Sequence, residues 1–131
     1  DSLNTPLRQY ARAQLDIRQH RYQKADARLD SLLQRYGRHS LADDARFRQA
    51  EVALAQGDTT TALQRYRALP QRHPRSPFAD RSLFRLGTLY ETQGNPEQAA
   101  ELYDRLLTEY PSSLLASDVR TRLRALRRPQ G

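Results

Sequence analysis

The stretch LGTLYETQGNPEQA, residues 86–99, contains two helical patterns that are separated by Gly94, Asn95 and Pro96. Asn95 is a residue type that caps helices, and Pro96 suits the first position of the helix that follows. Gly94 suits the left-handed position that ends the preceding helix. The stretch therefore predicts two helices joined by a tight turn.

The same turn recurs at a spacing of 37 residues, because Gly57 aligns with Gly94 and Asp58 aligns with Asn95. The shift also aligns three sets of small or apolar residues: Ala25, Ala62 and Ala99; Leu32, Leu69 and Leu106; Ala13, Ala50 and Gly87. A spacing that is kept across three copies predicts repeated structural units rather than an isolated loop.

Apolar residues on either side of the turn follow a helical period. Before the turn they are Leu83, Leu86, Gly87 and Tyr90, and after it they are Ala99, Tyr103 and Leu106. Each set forms one stripe on its helix, so the two helices are expected to pack as a hairpin. The small residues Gly87 and Ala99 would let the two backbones approach closely.

These residues resemble the tetratricopeptide repeat. When Asp80 is counted as position one, eight residues fall on the signature positions of the family: Leu83, Leu86, Gly87, Tyr90, Ala99, Tyr103, Leu106 and Pro111. The second copy departs from the pattern at Arg46 and Gln49, and the first departs at Gln9 and Arg12. The resemblance covers roughly residues 5–127.

The resemblance implies an all-α fold, a right-handed tetratricopeptide-type α-solenoid of three helical hairpins and a C-terminal capping helix. We predict one domain over residues 1–131, and the repeats and the cap are expected at about 6–39, 40–76, 77–112 and 113–127. The predicted helices are 5–19, 22–36, 40–56, 59–69, 77–93, 96–109 and 113–127.

Each copy is three residues longer than the usual repeat of 34. We interpret the extra residues as one more N-terminal turn on each leading helix, capped in the third copy by Ser76 with Pro77 at the first position. Pro70 replaces a leucine of the other copies, so the fourth helix is expected to stop or kink there. The connection that follows, residues 70–77, is then expected to be the longest and most exposed.

The sequence lacks the groups that an enzyme requires. There is no cysteine, which excludes disulfides, thiol catalysis and cysteine-ligated metals. His20, His39 and His73 are far apart and do not have the spacing of metal ligands. Phosphate-binding loops and nucleophile elbows are also absent. We therefore predict a non-enzyme with no catalytic residue, no metal and no cofactor.

In the family, the leading helices line a concave groove that binds peptides or partner segments. Positions 2, 5, 6 and 9 of each leading helix point away from its buried stripe. The predicted partner-binding residues at these positions are Phe47, Arg48, Glu51, Arg81, Phe84, Arg85, Thr88 and Arg122. Spaced arginines beside aromatic rings suit an acidic or carboxylate-terminated peptide.

Some of these residues have a simpler interpretation. Asp44 and Asp118 each lie four residues before an arginine, so ordinary i,i+4 ion pairs would account for Arg48 and Arg122. The phenylalanines would then fill gaps between repeats. Arg85 is the exception, because the residue four positions before it is Arg81.

The resemblance does not extend to the asparagine-based carboxylate clamp of chaperone-binding relatives, because Thr88 and Glu51 replace the asparagines that the clamp requires. A protein or peptide is the predicted partner, and an acidic one fits best. Two alternatives remain: a basic module that binds nucleic acid or an anionic surface, and a structural or self-associating repeat. The net charge of +7 suggests the first, but 15 acidic residues are interspersed with the arginines, so nucleic acid is not favoured.

The location of the chain follows only from resemblance. Residues 76–95 and 110–123 resemble the repeats of bacterial cell-envelope proteins, which implies a periplasmic or envelope location. The chain begins at Asp1 and has no methionine, so we expect a piece of a longer bacterial protein. No apolar run approaches the about 18 residues of a membrane span. The oligomeric state is left open.

Overall fold

The structure, a computed structural model, describes residues 5–129. This part of the chain contains seven α-helices and no strand, so the all-α prediction is confirmed. The helices are α1 (Thr5–Arg18), α2 (Tyr22–Tyr36), α3 (Ala42–Ala55), α4 (Thr59–Arg72), α5 (Ala79–Thr92), α6 (Pro96–Glu109) and α7 (Ala116–Leu126).

The helices form two compact units, one ending at Leu69 and the other beginning at Pro70. The division falls within α4. Sequence analysis did not predict it, because the 37-residue repeat continues through this point.

The first unit is built on the α1–α2 hairpin, against which α3 packs. Its core contains Tyr10, Ala13, Leu29, Leu32 and Ala45, with Leu33, Tyr36 and Leu41 packed at the edge. Burial of a leucine side chain contributes roughly 1.5–3 kcal/mol, so a few such residues account for much of the stability of a small unit.

The second unit repeats the arrangement, with an α5–α6 hairpin against which α7 packs. Its largest fully buried apolar side chains are Leu83, Leu86, Tyr103, Leu106 and Val119.

Equivalent residues of the repeat have equivalent environments. Ala25, Ala62 and Ala99 are all 0% exposed, and the aligned leucines Leu32, Leu69 and Leu106 are exposed by no more than 1%. The 37-residue spacing therefore corresponds to a repeated packing arrangement, as predicted from the sequence.

The turns within the hairpins also repeat. Gly57 and Gly94 have φ angles of +80° and +77°, which confirms the predicted left-handed position. His20 holds the same position in the first copy with φ +60°. In contrast to the prediction, Asn95 makes no side-chain capping bond to α6, whereas Asp58 accepts a hydrogen bond from the Thr61 amide at 3.1 Å.

The predicted extra turns do not belong to the α-helices, although the predicted cap at Ser76 is formed, because the Ser76 hydroxyl accepts a hydrogen bond from the Phe78 amide at 3.0 Å. The leading helices begin at Ala42, Ala79 and Ala116, two or three residues later than predicted. In the third copy the preceding residues form two successive turns, in which the Ser76 amide bonds to the His73 carbonyl and the Ala79 amide bonds to the Ser76 carbonyl. The late start of α5 has a local cause. The bond between the Ser76 side chain and the Phe78 amide stabilises a turn at this point, and such side-chain bonds to the backbone compete with a regular helix.

The prediction that α4 would stop at Pro70 was wrong. Helix α4 does not stop there but continues to Arg72, with Pro70 inside it and buried. Pro70 lies in the last turn, so the single hydrogen bond lost with its amide affects only the end of the helix. The connection that follows covers residues 73–78 and has the same length as the one at 110–115.

Candidate functional site

The predicted site residues fall in both units. The first unit contains Phe47, Arg48 and Glu51 on α3, and the second contains Arg81, Phe84, Arg85 and Thr88 on α5 and Arg122 on α7.

In the first unit, Arg48 is held by two acidic side chains. Its Nε lies 3.3 Å from Asp44 Oδ1, and its Nη1 lies 2.7 Å from Glu51 Oε1. The predicted i,i+4 pair with Asp44 is therefore formed, and a second carboxylate adds to it. With its charge compensated in this way, Arg48 has little attraction left for an acidic ligand.

Tyr10 extends this network from α1. Its hydroxyl donates a hydrogen bond to Asp44 Oδ1 at 2.5 Å and accepts one from Arg48 Nε at 3.2 Å. Burial, together with the neighbouring Asp44 carboxylate, raises the pKa of Tyr10 to about 12. Burial opposes the charge of Arg48, but its bonds to Tyr10 and Glu51 outweigh burial and raise the pKa of the guanidinium. Tyr10 thus joins two helices through a polar contact.

Phe47 contributes packing rather than an accessible ring. It is only 2% exposed, and it meets Tyr66 edge-to-face with ring centroids 5.7 Å apart. Such pairs contribute about 0.5–1.5 kcal/mol beyond the area that they bury.

In the second unit, four predicted residues of α5 form a single stripe. Arg81, Phe84, Arg85 and Thr88 lie at i, i+3, i+4 and i+7, which places them on one side of the helix. The Arg122 guanidinium of α7 lies 5.3 Å from the centroid of the Phe84 ring. We call these five residues the α5 face.

Arg122 also lies near two carboxylates, but at longer distances than Arg48 does. Its Nη1 lies 3.6 Å from Glu91 Oε1, and its Nε lies 3.9 Å from Asp118 Oδ1. The Tyr103 hydroxyl also donates a hydrogen bond to Glu91. Burial and the Glu91 carboxylate raise the pKa of Tyr103. The two carboxylates beside the α5 face are therefore both engaged with Arg122.

Arg81 and Arg85 differ from the other arginines of the site. Both are exposed, and within residues 5–129 neither forms an ion pair with a carboxylate. The Arg81 guanidinium lies 5.4 Å from the centroid of the Phe78 ring. Phe84 is half-buried and keeps part of its ring at the surface. The α5 face thus combines two uncompensated guanidinium groups with aromatic surface.

The tyrosine contacts were not predicted from the sequence. Tyr10 occupies, in the first copy, the position that Phe47 and Phe84 occupy in the other copies. The repeat spacing therefore indicates its place on the leading helix α1. What the spacing did not reveal was that its hydroxyl would reach Asp44, because this contact joins residues 34 positions apart.

Residues 5–129 contain neither a candidate metal site nor a candidate membrane-spanning helix. Between residues 5 and 129 no three His, Asp or Glu side chains are grouped so that they could hold a metal ion. In the same range, no helix combines the length and apolar character that are required to cross a membrane.

Known proteins share this helical architecture. The family model for the tetratricopeptide repeat matches residues 10–77 and also residues 47–113. No curated protein shows significant similarity to the chain.

Three solved structures have a similar fold. The Yersinia enterocolitica type III secretion chaperone SycD, in complex with a peptide of the translocator YopD, has a TM-score of 0.74 at 15% identity, over 94% of this chain and 92% of its own. The TPR2AB domain of yeast Sti1, in complex with pHSP90, also has a TM-score of 0.74 at 15% identity, over 94% of this chain and 48% of its own. A tetratricopeptide repeat protein from Parabacteroides merdae has a TM-score of 0.51 at 14% identity, over 95% of this chain and 60% of its own.

Proposed function

The chain belongs to the tetratricopeptide repeat family, and we propose that it is a non-catalytic scaffold that binds a segment of a partner protein through its leading helices. Two proteins of similar fold support this proposal. SycD was solved with a peptide of YopD, and the Sti1 domain was solved with pHSP90. In this chain, the charged and aromatic side chains exposed on the leading helices then determine which kind of partner fits.

The proposed ligand is an acidic or carboxylate-terminated peptide, and the α5 face is its binding site. The observation that supports this choice is the contrast between the arginines. Arg48 forms close ion pairs with carboxylates of the chain and Arg122 lies near two of them, whereas Arg81 and Arg85 have none among residues 5–129. A guanidinium group can bind a carboxylate through two parallel hydrogen bonds, which favours an acidic ligand at these two residues.

Phe84 and Thr88 supply the remaining contacts of the proposed site. The exposed part of the Phe84 ring can pack against an apolar side chain of the peptide. The Thr88 hydroxyl donates to the Arg85 carbonyl at 2.9 Å, so its oxygen remains able to accept a hydrogen bond from a peptide amide.

Charge reversal on the α5 face tests the proposal. The probe is a fluorescent peptide of about eight residues with alternating Glu, one Leu and a free C-terminal carboxylate, and its binding is followed by fluorescence anisotropy. Arg81→Glu with Arg85→Glu is expected to weaken binding at least about tenfold, because two attractive contacts become repulsive. Helicity and Tm should change little, since both side chains are exposed.

The matched control is Arg12→Glu with Arg38→Glu, which makes the same change in net charge at two other exposed arginines. The control should bind the peptide as the parent does. Unchanged binding by the Arg81 and Arg85 variant, or equal loss in both variants, would rule out the α5 face as the site.

We also propose that the chain acts in the bacterial cell envelope. This rests on the resemblance of residues 76–95 and 110–123 to the repeats of that subgroup. Fractionation of the bacterial cells that encode the protein tests this location. Recovery of the protein from the cytosol alone would contradict the proposal.

A further inference from the structure

A second surface of the protein has an unusual concentration of arginine. Arg120, Arg124 and Arg127 lie at i, i+4 and i+7 on one side of α7 and at its C-terminal end, and all three are exposed. Together with Leu123 they line a cavity of about 260 Å³. We call these four residues the α7 face.

The repeat shows which structural position the α7 face occupies. A shift of 37 residues places Arg120, Arg124 and Arg127 on three residues of α5, namely Leu83, Gly87 and Tyr90. Those three residues are buried. A Cβ atom added at Gly87 would lie 2.3 Å from Cε1 of Tyr103, so α6 covers this side of α5 closely. The arginines of α7 therefore occupy the side of a leading helix that a second helix covers in the third hairpin.

The α7 face carries an excess of positive charge. Arg127 is paired with Asp104 of α6, but Arg120 and Arg124 form no ion pair in the described part of the chain. The only acidic residue on α7 is Asp118, which is engaged with Arg122. Leu123 is 6% exposed and gives the cavity an apolar floor between the guanidinium groups.

We propose that the α7 face binds an acidic amphipathic helix of a partner protein, which would pack on α7 as α6 packs on α5. A helix fits because carboxylates repeated at i, i+4 and i+7 would match the spacing of the three arginines. An acidic sequence is required because two of these arginines have no carboxylate of their own. An apolar residue between the acids would cover Leu123.

A protein helix suits this surface better than nucleic acid does. Leu123 lines the cavity together with the arginines, and the Asp104 carboxylate contacts Arg127; neither group is complementary to a phosphate backbone. The α7 face is also distinct from the α5 face. Arg122 is two residues from both Arg120 and Arg124, which at 100° per residue places it roughly on the opposite side of α7.

The probe for this proposal is a labelled, alanine-based helical peptide of about 16 residues that presents Glu, Leu, Glu and Glu at i, i+3, i+4 and i+7. A second peptide of identical composition distributes the same residues around the helix. Binding is measured by fluorescence anisotropy at near-physiological salt. The patterned peptide is expected to bind at least about tenfold more tightly than the scrambled one.

Arg120→Glu with Arg124→Glu should remove this preference, whereas Arg12→Glu with Arg38→Glu should retain it. Circular dichroism checks that the variants remain folded, and Arg120→Gln with Arg124→Gln serves as a milder pair if charge reversal disturbs α7. The α5-face variant, Arg81→Glu with Arg85→Glu, should bind the patterned helix normally. This separates the present inference from the proposed function.

Three results would overturn the inference. The two peptides could bind equally, the Arg120 and Arg124 variants could bind as the parent does, or duplex DNA could bind more tightly than the patterned peptide and lose that binding in the same variants. Loss only in the α5-face variant would assign the peptide to that other surface.

Discussion

At the scale of single residues, the third hairpin depends on the contact between Gly87 and Tyr103. A Cβ atom at position 87 would lie 2.3 Å from Cε1 and 2.8 Å from Cδ1 of the tyrosine ring. Tyr103 is fully buried, and its hydroxyl is fixed by Glu91, so the ring has little freedom to move away. Glycine at this position is therefore required by packing.

Gly87→Ala should destabilise the protein by about 1–3 kcal/mol, because the added methyl group overpacks the interface between α5 and α6. The loss should occur even though alanine favours a helix over glycine by about 1 kcal/mol. Urea unfolding followed by circular dichroism measures the change.

A second background isolates the cause. In Tyr103→Leu the aromatic ring is absent, so Gly87→Ala should become neutral or stabilising there. An equal cost of Gly87→Ala in both backgrounds would mean that another contact accounts for the glycine.

At the scale of elements, the same position of the repeat makes a hydrogen bond to the backbone just before each leading helix. His39, Ser76 and Ser113 are 37 residues apart, and each accepts a hydrogen bond from the amide two residues later. Ser113 makes a second contact, since its hydroxyl donates to Asp80 Oδ2 at 2.5 Å. It therefore links the start of α7 to the first turn of α5.

Ser113→Ala should lower the free energy of unfolding by about 1–2 kcal/mol, because it removes both hydrogen bonds and leaves the half-buried Asp80 with one partner fewer. Ser112 is the matched control, since it is exposed and forms no side-chain bond within residues 5–129. Ser112→Ala should change stability by no more than about 0.5 kcal/mol. Similar losses in the two variants, measured by urea unfolding, would show that Ser113 does not fix the start of α7.

The same elements show how far the sequence predicts this structure. Period and spacing predicted all seven helices and the left-handed turn at Gly94, because both depend on residues close in sequence. The starts of α3, α5 and α7 were misplaced by two or three residues. Before α5 and α7 the residue concerned is a serine, which suits either a helix cap or a turn that precedes the helix.

The candidate site was predictable in part. The 37-residue spacing and the helical period placed Arg81, Phe84, Arg85 and Thr88 on one side of α5. The sequence could not separate an accessible phenylalanine from a buried one, because the burial of Phe47 and the partial exposure of Phe84 depend on residues far away in the chain. It also could not show that Tyr10 would contact Asp44, for the same reason.

At the scale of the whole molecule, the net charge of +7 comes from arginines that differ in whether a carboxylate pairs with them. Some arginines have a carboxylate partner in the described part of the chain. Besides those of Arg48 and Arg122, the pairs are Arg28–Asp16, Arg65–Asp26, Arg105–Glu109 and Arg127–Asp104. These pairs reduce the number of guanidinium groups that are available to neutralise phosphates.

Duplex DNA should consequently bind weakly, with a dissociation constant no tighter than about 10⁻⁴ M near physiological salt. The slope of log K against log salt should be shallower than about −3, because each phosphate contact contributes about −0.9 and each arginine face offers only two or three guanidinium groups. Titration of a labelled duplex at several salt concentrations measures both quantities. Micromolar binding with a slope of about −5 or steeper would mean that arginines from several surfaces track one phosphate backbone, and the basic nucleic-acid module would then replace the peptide scaffold as the better account of the charge.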